Sequence, residues 1–330
     1  MNYTGHYPLF DTSRIRTYPL GDRASKVHTD AIMRPEAVAG RRAEWTSPQL
    51  EETVEAVRTA RAKGQPVIWM TGAHLIKNGF GPLLADLIQR GVVTLAATNM
   101  AGMIHDLELA LVGRTSEDVP RALPRGEFGF AEETASLLNG AMAHAERLGV
   151  GLGEAVGRLI EGEAFPEAVE FAHRELSVAA AAWRTETPLT VHAGIGADII
   201  DQHASWDPSA KGGCSGRDFL IFAAEIERMA ETGGGVYLNI GSAITGPEVL
   251  LKACSMAANV GHAPKGLFTA SFDIRPAALD DADDERKAAY YFRDVKTVVV
   301  RVPESFEGRG VYVQGNHLAT VPALYQMLCA

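Results

Sequence analysis

Pro66-Val-Ile-Trp-Met70 is followed by Thr71-Gly-Ala-His-Leu-Ile-Lys-Asn-Gly79, then by Gly81 to Arg90, a glycine at 91, and Val92-Val-Thr-Leu-Ala-Ala97. The first and last of these are short apolar runs bounded by turn residues, and the stretch between them has helical spacing. Strand, loop, helix and strand thus follow one another in roughly 30 residues, the size of a βαβ unit. Strands joined by a helical crossover run parallel, and a parallel sheet is covered by helices on both faces. This one stretch therefore predicts an α/β fold.

Working outward, Ser47-Pro-Gln-Leu-Glu-Glu-Thr-Val opens a helix with an N-cap serine, proline at the first helical position and acids in the first turn; Lys63-Gly64 closes it. Helical periodicity dominates from Glu132 to Trp183, with breaks at Gly149, Gly151 and Gly153. Leu189–His192, Val236–Ile240 and Thr297–Val302 read as further strands, with amphipathic helices over Asp218–Met229 and Pro247–Met256. Arg114 to Phe130 reads as a surface excursion, and the acidic run Asp280–Glu285 as a solvated helix start. The residues before about Arg42 have no sustained period. The expected organisation is an N-terminal arm, 1–45, and one Rossmann-like α/β domain, 46–330, with a mainly parallel sheet flanked by helices.

Composition narrows the function classes. The 330 residues are 46% hydrophobic and 22% charged, with 31 basic against 41 acidic side chains and a net charge of −10. That balance argues against a nucleic-acid partner and suits a small cationic molecule. Cys214, Cys254 and Cys329 form no CxxC pair, which fits a reducing compartment. The N-terminal residues have no signal-peptide pattern, and no apolar run approaches the ~20 residues that cross a bilayer. A cytoplasmic protein with no membrane partner is expected.

Ligands of parallel sheets sit beyond the carboxyl ends of the strands, so the loops there hold the candidate residues. They carry Thr71, Gly72, Ala73 and His74; Thr98, Ala101, Gly102, His105 and Asp106; His192, Asp198, Asp201 and His203; and Gly241, Ser242 and Glu248. Ser271, Asp273, Asn316 and His317 follow nearer the C-terminus. Small residues in Gly241-Ser-Ala-Ile-Thr-Gly246, ahead of a helix, would let backbone N–H groups approach a phosphate. The triplet Gly233-Gly-Gly235 precedes its strand and lies at the wrong end for that work. His74, His105, His192 and His317 are the acid–base candidates, since histidine titrates near neutral pH. The cluster His192, Asp198, Asp201 and His203 also leaves open a metal-dependent hydrolase or lyase.

In order and spacing these loops resemble the deoxyhypusine synthase family. The resemblance rests on Val67–Gly79, Leu83–Leu87, Val92–Ala97, Thr98–Asp106, Pro188–Asp198, Val236–Ile240 with Gly241-Ser-Ala-Ile, and Asp294 to Val321-Pro-Ala-Leu as a C-terminal strand pair. It implies NAD bound in a Rossmann-like domain, oxidation of a polyamine, transfer of an aminobutyl group through an imine on a lysine, and a homotetramer with sites between subunits. Carried over by position, Thr71, Gly72, Ala73, Thr98, Ala101, Gly102, Asp106 and Asp198 would line the dinucleotide. Gly241, Ser242, Ser271, Asp273 and Asn316 would add further contacts, and Asp201, His203 and Glu248 would meet substrate. No resident metal is implied. The family lysine is replaced by Gly246 or Leu238, depending on which glycine turn is aligned, and Lys252 reads as a surface residue. The expected function is an NAD-dependent enzyme of a polyamine or other small amine, diverged from deoxyhypusine synthesis. His192 or His317 would be the base, and Asp198 or Asp201 would hold the amine. A non-catalytic nucleotide-binding paralogue is a further reading.

Overall fold

The computed structural model describes residues 3–165, 168–282 and 284–330. Its strands are β1 (Ser25–His28), β2 (Val67–Thr71), β3 (Leu95–Asn99), β4 (Arg114–Glu117), β5 (Leu189–His192), β6 (Val236–Ile240), β7 (Phe268–Asp273) and β8 (Arg309–Gln314). The main helices are α1 (Pro48–Ala62), α2 (Ala73–Lys77), α3 (Gly81–Gln89), α4 (Met100–Val112), α5 (Glu132–Leu148), α6 (Leu152–Ile160), α7 (Val178–Arg184), α8 (Pro208–Thr232), α9 (Thr245–Asn259) and α10 (His317–Cys329).

Six strands form one parallel sheet in the order β5-β3-β2-β6-β7-β8. The chain runs outward from β2 through β3 to β5, returns to β6 beside β2, and continues to β8. This is the doubly wound order, and its direction reverses between β2 and β6. The expected Rossmann-like α/β sheet is therefore present. β2 is buried along its whole length, as a central parallel strand must be. Its side chains alternate between two cores. Val67 and Trp69 pack with Leu50, Val54 and Leu84 on one face, while Ile68 and Met70 pack with Phe222, Ile226 and Leu250 on the other.

Local signals account for several boundaries. Ser47 accepts a hydrogen bond from Leu50 N and caps α1, and Gly113, Gly149 and Gly233 end α4, α5 and α8 in the left-handed conformation. In the N-terminal segment, β1 pairs antiparallel with β4, so residues 25–28 are held by the stretch that follows α4. The acidic run Asp280–Glu285 overlaps a single 3₁₀ turn, Leu279–Asp281, and its Asp283 lies outside the described residues.

One strand assignment is corrected. Thr297–Val302 lies in and just beyond a π-helical segment, Asp294–Arg301. Its β-branched run suggested a strand, but the segment is helical, with residues 294–299 all buried and Val302 buried after them. Tertiary packing of the whole segment outweighed β propensity. The expected C-terminal strand pair is therefore one strand, β8, which pairs with β7. Among the described residues no helix is long and apolar enough to cross a membrane.

Candidate functional site

Where the winding reverses, the loops after β2 and β6 part and leave a crevice. They are tied at its floor: Thr71 Oγ1 donates to Ile240 O at 3.0 Å and Gly72 N donates to the same carbonyl at 3.3 Å. A Cβ on Gly72 would lie 2.5 Å from Gly241 O, so only glycine permits this approach. Gly241 itself has φ +67°, and a Cβ there would meet the His317 ring at 2.6 Å. The two glycines thus let the β2 loop, the β6 loop and the start of α10 converge.

Above them opens a cleft of about 380 Å³ lined by His74, Asn78, Gly241, Asp273, Asn316 and His317. His317 Nε2 lies 3.1 Å from Phe272 O. A carbonyl can only accept, so Nε2 carries the proton and Nδ1 is left as the acceptor of the neutral ring. Asn316 Oδ1 accepts from Leu318 N at 2.9 Å and fixes the start of α10. At the end of β7, burial works against the charge of Asp273, but hydrogen bonds from Arg275 outweigh it and hold the carboxyl below its ordinary range. Arg275 is in turn braced by Asp294 at 2.8 Å and by the Phe292 ring. His74 is lowered from its ordinary value by burial first and then by the neighbouring charge of Lys77. The cleft therefore offers an anionic carboxylate, two histidines and two amides.

The β6 loop suits a phosphate. Ser242 Oγ accepts from Gly246 N at 2.9 Å, while the N–H groups of Ala243, Ile244 and Thr245 form no hydrogen bond within the described residues. Ala243 and Ile244 precede, and Thr245 opens, the 15-residue helix α9, so free donors and the positive end of a helix dipole coincide. The residues present fit the diphosphate of a dinucleotide. Asn99, at the end of β3, caps α4: its Oδ1 accepts from Gly102 N at 2.9 Å.

Of the residues expected from sequence, Thr71, Gly72, Ala73, His74, Gly241, Ser242, Asp273, Asn316 and His317 gather at this end of the sheet around the cleft or its floor. Ser271 is fully buried under it, accepting from Asn239 Nδ2 at 3.1 Å. Others do different work. Asp106 is buried and accepts from Ser177 Oγ, Val178 N and Ala179 N at 2.6, 2.8 and 3.2 Å, capping α7 instead of facing a dinucleotide. Gly102 packs on Thr98, whose buried Oγ1 has no hydrogen-bond partner in the described residues. Glu248 forms surface ion pairs with Lys252 and Arg293 away from the cleft, which agrees with the surface reading of Lys252.

The His192, Asp198, Asp201, His203 cluster does not form a metal site. Lys211 Nζ, fully buried, pairs with Asp198 at 2.8 Å and with Asp201, occupying the place a cation would take. His203 Nε2 donates to Gly129 O at 2.8 Å, and His192 sits against Thr190 and the edge of Phe222. Burial pushes His192 down to about 4, so it is neutral at pH 7. Among the described residues no group of three or more His, Cys, Asp or Glu could hold a metal. The amine-holding role expected of Asp198 or Asp201 is corrected on the same ground. Ala101, His105 and Asp198 line a separate cavity on the β3 side. Sequence reasoning missed Lys211 and Arg275. A lysine in the first turn of a helix, where the dipole disfavours it, was the one available sign of Lys211.

No family model matches the chain, and no curated protein matches it. Among solved structures, it is similar to AgrE in ternary complex with ornithine and NAD+, at 19% identity and a TM-score of 0.46, covering 86% of this chain and 34% of that one. This chain thus spans about a third of the length of AgrE. It is also similar to a candidate LOR/SDH protein from Methanococcus maripaludis S2, at 15% identity and a TM-score of 0.45, covering 90% and 73%. A candidate deoxyhypusine synthase from Entamoeba histolytica has 9% identity and a TM-score of 0.45, covering 86% and 89%.

Proposed function

We propose that this chain is an NAD-dependent enzyme acting on a small amine in the cleft at the β2/β6 reversal. The observation that carries the reading is the coincidence, at that switch point, of a phosphate-suited loop with an ionised carboxylate and a tautomer-fixed histidine. The Gly241–Gly246 loop would hold the diphosphate through its unpaired N–H groups, with Gly72 keeping the floor open. When bound, NAD supplies a hydride acceptor for a carbon bonded to nitrogen. Asp273, held ionised by Arg275, accepts a hydrogen bond from the substrate amine on the side that lines the cleft. His317 Nδ1 takes the proton that the ammonium must lose, because Phe272 O engages Nε2. His74, at the opposite wall, is an acceptor for a second donor of the substrate.

Two measurements test this. Calorimetric titration with NAD+ should give a saturable isotherm, and NADH absorbance at 340 nm should rise when spermidine or a short α,ω-diamine is added. Absence of NAD+ binding removes the nucleotide reading. Binding without turnover of any amine leaves the nucleotide-binding paralogue as the function.

A further inference from the structure

The cavity on the β3 side, about 240 Å³, is lined by Lys77, His105, Ser116, Phe128 and Asp198 among others. His105 stands on α4 and points its Nδ1 at Thr115 Oγ1 of β4, 2.7 Å away. Thr115 Oγ1 in turn lies 2.5 Å from Glu108 Oε2. Glu108 also accepts two bonds from Arg23 at 2.6 Å and one from Thr134 at 2.8 Å. These four bonds fill its lone-pair positions. Burial opposes the charge of Glu108, but the Arg23 bonds outweigh it and keep the carboxylate ionised.

An ionised carboxylate has no hydrogen to give, so the Thr115 hydroxyl must donate to it. That hydroxyl has one hydrogen, and only its lone pairs remain for His105. His105 therefore carries its proton on Nδ1. Its Nε2 is a bare acceptor with no hydrogen-bond partner among the described residues, on a ring that lines the cavity. Burial, with the charges of Lys77, Arg23 and His74, overcomes the opposing charge of Glu108 and lowers His105 to about 4, so the ring stays neutral.

The charges on the cavity wall are unevenly satisfied. Arg23 and Glu108 pair with each other, Glu117 accepts from Tyr18 Oη and Gly129 N at 2.9 Å, and Asp198 is held by Lys211. Lys77 forms no ion pair or hydrogen bond among the described residues. Ser116, beside Thr115, is held at φ +68°, the left-handed region that costs a non-glycine residue strain.

We propose that this cavity is a second binding site, for a small hydroxy acid: its carboxylate pairs with Lys77 and its hydroxyl donates to His105 Nε2. Thr115 and Glu108 are positioning residues that set the histidine tautomer. The site does not depend on the reading of the β2/β6 cleft, and NAD+ titration reports on that cleft alone.

The test is long-range ¹H–¹⁵N correlation spectroscopy of the full chain labelled at histidine, with His105 assigned through His105→Gln. Wild type should show His105 in the Nδ1–H tautomer, neutral at pH 6. Glycolate should perturb its Nε2 resonance, with acetate, which lacks the hydroxyl, binding at least tenfold more weakly. Lys77→Met should weaken glycolate at least tenfold and leave the tautomer unchanged. Thr115→Val should shift the tautomer toward Nε2–H, and Thr115→Ser should restore it. An Nε2–H tautomer in wild type, or glycolate that leaves His105 unperturbed, would overturn the proposal even if the Thr115→Val chain fails to fold.

Discussion

On the β6–β7–β8 side of the sheet, Asp273 and His317 stand at strand and helix ends with a cleft in front of them, while on the β3–β5 side Asp106, Asp201, His192 and His203 are buried and Asp198 is half-buried against Lys211. Both sides have the same residue types at comparable places after their strands. They differ in what the chain itself supplies. Asp106 is filled by the start of α7, Asp198 and Asp201 by Lys211, and His203 by Gly129 O. Asp273 takes its hydrogen bonds from Arg275, two residues on in its own segment, and lines the open cleft. A polar residue after a parallel strand is thus a candidate for chemistry only when no other segment has already satisfied it.

The largest expected effect that sharpens this contrast comes from Lys211→Met, which leaves buried Asp201 and half-buried Asp198 without their cation. Breaking a buried ion pair by removing one partner costs about 3–5 kcal/mol, so urea denaturation should show a loss of that order. A loss below 1 kcal/mol would mean that Asp198 and Asp201 are not held as described. Asp106→Ala comes next. It leaves Val178 N, Ala179 N and Ser177 Oγ without their acceptor, a cost of roughly 2–3 kcal/mol, to be read in the same way.

Asp218 gives a pH signature for the inward-turned side. It is buried, accepts from Val191 N at 2.8 Å and Gly153 N at 3.1 Å through one oxygen, and burial raises it to about 7. Its folded pKa lies above the unfolded 3.8, so the native state holds a proton that the unfolded state releases. Stability should fall as pH rises from near 4 to about 7 and then level off. Asp218→Asn keeps an acceptor for both N–H groups and should remove that slope, leaving the variant more stable than wild type at pH 8. An unchanged slope in thermal scans across this window would contradict the assignment. The smallest stability change is expected in the cleft: His317→Ala and His74→Ala should each cost about 1 kcal/mol or less by urea denaturation while reducing NAD-linked amine turnover at least tenfold.

These contrasts explain what could be read from residues alone. Pro66 to Ala97 carries its own punctuation, and that local signal was enough to place two parallel strands and the helix Gly81–Gln89, while the stretch read as a loop holds the short helix Ala73–Lys77. The Gly72 and Gly241 loops were also legible, because small residues after a strand have few other uses. Lys211 was not, since the carboxylates it satisfies belong to another segment and nothing local marks the pairing. Arg275 belongs with it: two residues from Asp273, it gains its bracing role only when Asp294 arrives from the π-helical segment. That segment was misread because a Thr-Val-Val-Val run has strand chemistry, and its helical form comes from tertiary packing that buries 294–299 throughout.

The most direct test of the central claim is amide hydrogen–deuterium exchange with and without NAD+. Binding at the β2/β6 reversal should slow exchange in residues 71–79, 241–246 and 315–318 and leave 197–203 unchanged. Protection confined to 99–106 and 197–203, or none anywhere at saturating NAD+, would contradict it.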